Sequence, residues 1–285
     1  MKWFIGFFLA LTLPIGSVSC LAENTIRITY FGNEGFLIQA GTASILIDGI
    51  FTQDWGKYHT PPETILSKFQ KSAAPFDRLN ALLVTHNHPD HINLDMVSEH
   101  LRRQSGTIVV APSEVTTALQ SSLGDDVQQS QMIEMTPEVG ERRETRLGSI
   151  LLNAFGLPHN ADPTHAIQHV GFLFTLADTT FFHAGDAAAQ DIELYQTLGL
   201  AGKDIDIAFL PRWFFEQTQG VEIIKRLSPR AIIVMHLPAQ NYQDYRDLID
   251  NIPTALPPVF LMEHPLDSLQ VRLSGQQLEL ISVVQ

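Results

Sequence analysis

The segment Thr85-His86-Asn87-His88-Pro89-Asp90-His91 packs three imidazoles and a carboxylate into one short stretch, directly after the apolar run Ala81-Leu82-Leu83-Val84. Four potential ligands at the end of a buried strand constrain this chain more than any other feature. Extended backbone sends alternate side chains to the same side, so His86 and His88 can close on one ion. Pro89 then turns the chain and offers Asp90 and His91 in another direction. Two ions are therefore within reach of one loop. Imidazole nitrogen and carboxylate oxygen suit zinc first, with iron, manganese and nickel also compatible.

Short apolar runs punctuated by glycine and proline set out the elements around this loop. Residues 26–31, 35–40 and 43–48, with Gly32, Gly35 and Gly41 at the turns, predict an antiparallel meander that ends in Asp48-Gly49. An irregular aromatic stretch over 50–76 contains Phe51, Trp55, Tyr58 and His59, with a helix from Pro62 to Lys71. Leu94, Val97 and Leu101 at helical spacing predict a helix within 92–103, followed by a strand at 107–111 and a helix capped by Ser113 and running to Leu123. The polar segment 125–147 holds a short strand at 132–135 and a solvated turn or edge at 141–146.

The second half repeats the rhythm. Strands are expected at 149–155, 170–176, 205–210 and 231–236, with an apolar stretch at 180–186 and helices at 189–198, 221–227 and 242–252. Strands at 258–262, 269–273 and 278–283 close the chain. Such alternation places helices on the outside of sheets. No linker rich in glycine, proline or serine interrupts it, so a single domain of two similar αβ halves is expected over residues 23–285.

Residues 1–22 have a different character. Lys2, the apolar run Trp3 to Leu13 and the small residues Gly16, Ser17, Ser19 and Ala22 have the form of a secretory signal peptide, and every acidic residue lies after position 22. The run is shorter than a stable bilayer span. Cleavage after Ala22 would give a periplasmic or secreted protein beginning at Glu23, without its only cysteine, Cys20. The alternative is acylation of Cys20, which would tether a lipoprotein to a membrane; Ser17 stands where lipoprotein signals prefer an aliphatic residue, so the soluble form is favoured. Either way no disulfide can form within the chain. With Lys2 gone, 17 basic side chains stand against 31 acidic ones, a formal charge of about −14. That balance argues against nucleic acid or an anionic membrane as the main partner, since phosphate binding needs clustered cations.

Three more residues of metal-binding type stand where strands give way to loops: His159, Asp186 and His236. The ordered set of Asp48 in Ile47-Asp48-Gly49, the H-x-H-x-D-H loop, His159, Gly185-Asp186 and His236 in Val234-Met235-His236-Leu237 resembles the metallo-β-lactamase superfamily along essentially the whole mature chain. The opening Ile28-Thr29-Tyr30-Phe31-Gly32-Asn33-Glu34-Gly35-Phe36-Leu37, with Asp186, resembles the branch related to bacterial ascorbate-6-phosphate lactonase. The commonest zinc β-lactamases use a cysteine ligand, which this mature chain lacks. Flavodiiron proteins usually carry a glutamate where Asn87 stands, together with a flavin domain.

The resemblance implies an α/β protein, an αβ/βα four-layer sandwich of two mixed β-sheets flanked by helices, with a two-metal site at one edge. It implies that His86, His88 and His159 hold one ion, that Asp90, His91 and His236 hold the other, and that Asp186 bridges. It further implies a metal-bridging hydroxide as nucleophile, with Asp90 as the catalytic group that orients it or passes a proton, and Asp48 supporting a ligand from behind. The ions would be zinc, with manganese or iron as alternatives. The expected activity is hydrolysis of an ester, lactone, amide or phosphodiester of a small molecule; the second reading is a non-catalytic metal- or ligand-binding periplasmic module on the same fold. Trp55, Tyr58, Arg212, Trp213, Phe214 and Phe215 are candidates for the substrate mouth, where an Arg beside aromatic rings suits an anionic group on an apolar molecule; the equal alternative is that the aromatic residues are ordinary core. Of the remaining histidines, His169 and His183 are expected as buried structure, His165 as loop surface, His59 as a possible pocket residue, and His100 and His264 as structural or exposed.

Overall fold

Residues Ala43–Ile47 carry apolar side chains on both faces, Ile45 and Ile47 on one and Leu46 on the other, and all three are fully buried. A sheet built from such strands needs cover on both sides. The fold supplies it in four layers.

The structure, a computed structural model, describes residues 25–124, 131–160, 162, 164, 166–240, 242–252, 255–274 and 277–284. In chain order the first half runs β1 (Thr25–Gly32), β2 (Gly35–Ala40), β3 (Ala43–Ile47), α1 (Glu63–Gln70), β4 (Ala81–Leu83), α2 (Leu94–Arg103), β5 (Ile108–Ala111), α3 (Ser113–Leu123) and β6 (Met132–Glu134). The second half runs β7 (Arg142–Leu147), β8 (Ile150–Gly156), β9 (Val170–Leu176), β10 (Thr179–His183), α4 (Ile192–Thr197), β11 (Ile207–Pro211), α5 (Trp213–Glu216), α6 (Thr218–Leu227), β12 (Ala231–Met235), α7 (Tyr242–Asp250) and β13 (Val259–Leu261). The last strands, β14 (Ser268–Ser274) and β15 (Gln277–Val284), return to the first sheet and pair beside β1.

One sheet has the order β15-β14-β1-β2-β3-β4-β5-β6 and the other β13-β12-β11-β10-β9-β8-β7. Both are mixed: β1 to β3 and β7 to β10 pair antiparallel, while β3 to β6 and β10 to β13 pair parallel. Each parallel step needs a crossover, and the helices provide most of them. The inner layer joins Ile28, Ile38, Ile45, Ile47 and Leu83 of the first sheet to Leu152, Phe172, Phe174, Phe181 and Phe209 of the second. A second core seals the outer face of the first sheet: Leu37, Leu46, Leu82 and Val109 meet Ile65 and Phe69 of α1, Val97 and Leu101 of α2, and Val115 and Leu119 of α3. Tyr195 and Leu198, at the end of α4, and Ile223, Ile224 and Leu227 of α6 belong to the larger core.

The expected elements recur with shifted edges. Ser113 begins α3 instead of capping it; Pro112 precedes the helix, and the Ser113 hydroxyl donates to Gln168 Oε1 at 2.8 Å. The stretch at 141–146 is an edge strand, β7, whose arginines and glutamate are mostly exposed. The short helix α5 replaces what the sequence presented as a loop after β11. The signal-peptide segment with Cys20, and His165, lie outside the described residues.

Phe209 is fully buried between the sheets, its ring 4.6 Å from that of Phe36 and 5.5 Å from that of His183. Phe209→Ala should destabilise the fold by about 3–5 kcal/mol, read as a lower denaturant midpoint at an unchanged slope. A loss below about 1 kcal/mol would mean that the two sheets are not packed as described.

Candidate metal centre

Every strand that contributes to the site does so just past its end, at one edge of the sandwich. Asp48 follows β3, Thr85 to His91 follow β4, His159 follows β8, Asp186 follows β10 and His236 follows β12. Backbone hydrogen bonds tie these ends together: Val170 N to Thr85 O at 3.0 Å, Asn160 N to Asp186 O at 2.7 Å and His236 N to Asn33 O at 3.2 Å. Asn33, Asp48 and His236 have positive φ, 44°, 43° and 57°. Non-glycine residues in that region cluster where a fold holds a functional geometry. Gly185, at φ 56°, is obligatory, because a Cβ there would lie 2.5 Å from His169 Nε2 and 2.9 Å from Thr85 Cβ.

The hydrogen bonds behind the imidazoles decide which nitrogens face inward. Asp48 Oδ1 accepts from Thr85 N at 2.9 Å, and Asp48 Oδ2 accepts from the Thr85 hydroxyl at 2.6 Å. With its one proton used, the Thr85 oxygen accepts from His86 Nδ1 at 3.0 Å, which leaves the lone pair of His86 on Nε2. His91 Nδ1 donates to Asp48 Oδ2 at 3.0 Å, so Nε2 is the nitrogen that faces the site. Asn33 Nδ2 donates to Asp90 O at 3.2 Å and to Asp90 Oδ2 at 3.3 Å. A carboxylate behind a ligand histidine fixes its tautomer and raises its basicity.

Two groups of ligand atoms result, each with members within 4.8 Å of one another: His86, His88, His159 and Asp186 in one, Asp90, His91 and His236 in the other. His86 Nε2 lies 2.8 Å from His88 Nδ1. Asp186 touches both groups, with His159 Nε2 at 3.2 Å, His236 Nε2 at 3.5 Å and His91 Nε2 at 3.5 Å. All seven residues are buried except the half-buried His88. His91 Nε2 and Asp186 Oδ1 have no hydrogen-bond donor. Inward ring nitrogens and carboxylate oxygens with nothing to donate to them fit a cation, and the imidazole and carboxylate donors fit a divalent transition metal.

The electrostatics agree. Burial penalises its charge, but His236 and His91 hold Asp186 well below the usual carboxylate range. Burial likewise opposes protonation of His91, yet Asp186 and Asp48 carry its pKa up to about 9. Burial and His91 push His86 well below an ordinary histidine. A neutral imidazole is the form that binds metal, so His86 is ready for an ion while at His91 a bound ion would displace a proton.

Sequence reasoning missed two residues in this site. Asn33 orients Asp90, and Glu34 is fully buried with both carboxylate oxygens unpartnered. Burial first, then Asp186, raises the Glu34 pKa well above that of an ordinary glutamate. The sequence carried no signal of burial there, since a glutamate in a glycine-flanked turn is ordinarily solvated.

The other histidines fall mostly as expected. His183 is a satisfied core residue, with Nε2 donating to Glu34 O at 3.0 Å and Nδ1 accepting from Gly185 N at 3.2 Å. His100 is buried against Phe69 and bonded to Thr107, and His264 is exposed. His169 is buried with its ring 5.3 Å from that of His86, so it borders the site. His59 is half-buried near Tyr242 and His264.

The mouth candidates divide. Tyr58 and Trp213 bracket His236, with ring centroids at 4.4 and 4.8 Å, and Trp213 Nε1 donates to Ala187 O. Arg212 pairs with Glu216 and lies over the rings of Trp213 and Tyr245. Trp55 is 62% exposed. Phe214 and Phe215 require correction: α5 turns them into the hydrophobic core, Phe214 against Tyr195. Phe215 also lines a cavity of about 640 Å³ with Ile192, Val221 and Leu248, and no candidate metal ligand lines it.

Asp48→Asn retains a side chain that tolerates the left-handed backbone but removes the charge behind His91 and Thr85. It should weaken metal binding by about 10- to 100-fold, measured by competition with a chromogenic chelator. Unchanged affinity would contradict the role of Asp48.

Comparison with known proteins places the chain. A family model described as Beta-lactamase superfamily domain matches residues 43–237. A Bacillus cereus protein named UPF0173 metal-dependent hydrolase is 26% identical over 223 residues, covering 74% of this chain and 85% of the relative. Among solved structures, a novel metallo hydrolase from Ignicoccus hospitalis superposes with a TM-score of 0.57 at 18% identity, covering 88% of this chain and 100% of that one. The metallo-beta-lactamase fold protein YhfI from Bacillus subtilis gives a TM-score of 0.59 at 14% identity, covering 87% of this chain and 100% of that one. With its two mixed sheets, flanking helices and matched domain, the chain belongs to the β-lactamase superfamily domain family and has the metallo-β-lactamase fold.

Proposed function

We propose that the protein is a hydrolase that holds two divalent ions, zinc first, and cleaves an ester, lactone, amide or phosphodiester of a small molecule. Membership of the family, and relatives named metal-dependent hydrolases, support metal-dependent hydrolysis as the reaction class. The observation that carries the two-ion reading is Asp186 standing between two ligand groups, within 3.5 Å of nitrogens from both.

In this reading His86, His88 and His159 would hold one ion, Asp90, His91 and His236 the other, with Asp186 between the two groups. Such ions would supply Lewis acidity, making water a nucleophile near neutral pH and polarising a substrate oxygen. The chain's own residues do the rest. Asp48 and Thr85 keep the inward Nε2 atoms of His91 and His86 in place. Asp90, steadied by Asn33, orients the attacking water and receives its proton. Tyr58 and Trp213 shield His236 from bulk water, and Arg212 beside them suits a substrate with an anionic group.

The N-terminal segment and the acidic balance support an exported, periplasmic enzyme acting on a small molecule. Sequencing of the exported form should read Glu23 first; retention of an acylated Cys20 would make it a lipoprotein instead.

Protein loaded with zinc or manganese should turn over at least one of a panel of phosphodiester, lactone and thioester substrates. His86→Ala and Asp186→Asn should each reduce that turnover at least about a hundredfold while leaving the circular dichroism unchanged. Turnover that survives both substitutions would refute the proposal.

A further inference from the structure

Glu34 lies on the turn between β1 and β2, fully buried; neither of its carboxylate oxygens meets a hydrogen-bond donor of the surrounding fold, and its polar neighbour Asp186 is another carboxylate, with which it could share only a proton. An unpartnered buried carboxyl is costly and calls for a cation or a donor. The backbone leaves it little freedom. Its carbonyl accepts from His183 Nε2 at 3.0 Å, and a Cβ on the adjacent Gly35 would come within 2.8 Å of Gly49 Cα. A carboxylate oxygen of Glu34, a ring nitrogen of His91 and a carboxylate oxygen of Asp186 lie within 4.8 Å of one another. His183 and Asp48, which also neighbour it, have their polar atoms engaged elsewhere, the imidazole with Glu34 O and Gly185 N and the carboxylate with Thr85 and His91. The open side of the Glu34 carboxyl is therefore the one toward His91 and Asp186.

We propose that Glu34 is a further metal ligand, supplying a carboxylate oxygen to the ion held by Asp90, His91 and His236. The inference rests on the two-ion reading of the site. With Glu34 counted, the two positions differ in kind. The first offers three imidazoles and the Asp186 carboxylate, a four-donor set suited to zinc. The second offers the Asp90 carboxylate with the imidazoles of His91 and His236, and Glu34 adds an oxygen on the side where His91 meets Asp186. Oxygen donors at higher coordination number suit manganese(II) by ligand type, though zinc binds such N/O sites more tightly, so manganese serves as a spectroscopic probe of this position.

The test is a manganese titration of the full chain after metal stripping and reloading with one equivalent of zinc, with free manganese followed by electron paramagnetic resonance. Wild-type protein should take up one manganese without losing its zinc, and Glu34→Gln should bind that manganese about tenfold or more weakly with unchanged zinc content. Equal manganese affinity in the two proteins would overturn the role of Glu34 and leave the two-ion reading intact. A wild-type chain that takes up no second ion would overturn both. Should Glu34→Gln not fold, the manganese-loaded wild-type crystal structure decides: a Glu34 oxygen bonded to the ion supports the proposal, and a Glu34 carboxyl hydrogen-bonded to Asp186 refutes it.

Discussion

Glu34, Asp48, Asp90 and Asp186 share one buried sheet edge, and four carboxyl groups in so little space repel one another strongly at low dielectric. The fold answers only part of that repulsion. Asp48 accepts from Thr85 and His91, Asp90 from Asn33, and Asp186 stands among three imidazoles, while Glu34 has no donor at all. The imidazoles cannot all compensate by protonation, since burial holds His86 and His88 neutral. In the proposed reading, two divalent ions supply the positive charge that this acidic edge lacks. The Nδ1 contacts of His86 with Thr85 and of His91 with Asp48 turn both Nε2 atoms toward the centre.

The sandwich makes this arrangement affordable in strain. Its two sheets are packed through large apolar side chains such as Phe36, Phe172 and Phe209, and the loops at one edge inherit that rigidity. Left-handed backbone at Asn33, Asp48 and His236, unfavourable for residues with a Cβ, is held by tertiary contacts on both sides. The tie from His236 N to Asn33 O joins the end of β12 to the β1–β2 turn across the two sheets. Residues from both halves of the chain can then meet within hydrogen-bond range.

Much of the fold was legible because strand and helix patterns are local. The meander of β1 to β3, the helical spacing of Leu94, Val97 and Leu101, and the ligand loop after β4 all announced themselves by period and composition. The candidate ligands that the fold brings together were legible because imidazoles and carboxylates at strand ends have few other uses. What was not legible depended on packing. Phe214 and Phe215 look like a mouth when they follow Arg212, but one turn of helix sends them into the core. Ser113 has the chemistry of a cap and spends it on Gln168, distant in sequence. Glu34 sits in a glycine-flanked turn, ordinarily a solvated place; only the approach of Asp186 and His91, far along the chain, makes it part of the centre.

Metal stoichiometry is the quantity on which the proposed two-cation edge depends. Elemental analysis of the purified chain by inductively coupled plasma mass spectrometry, against protein concentration from amino-acid analysis, measures it directly. Two divalent transition-metal ions per chain, falling below two in Asp186→Asn, are the result expected. A folded wild-type chain that carries no such ions, even after reloading with zinc and manganese, would contradict it.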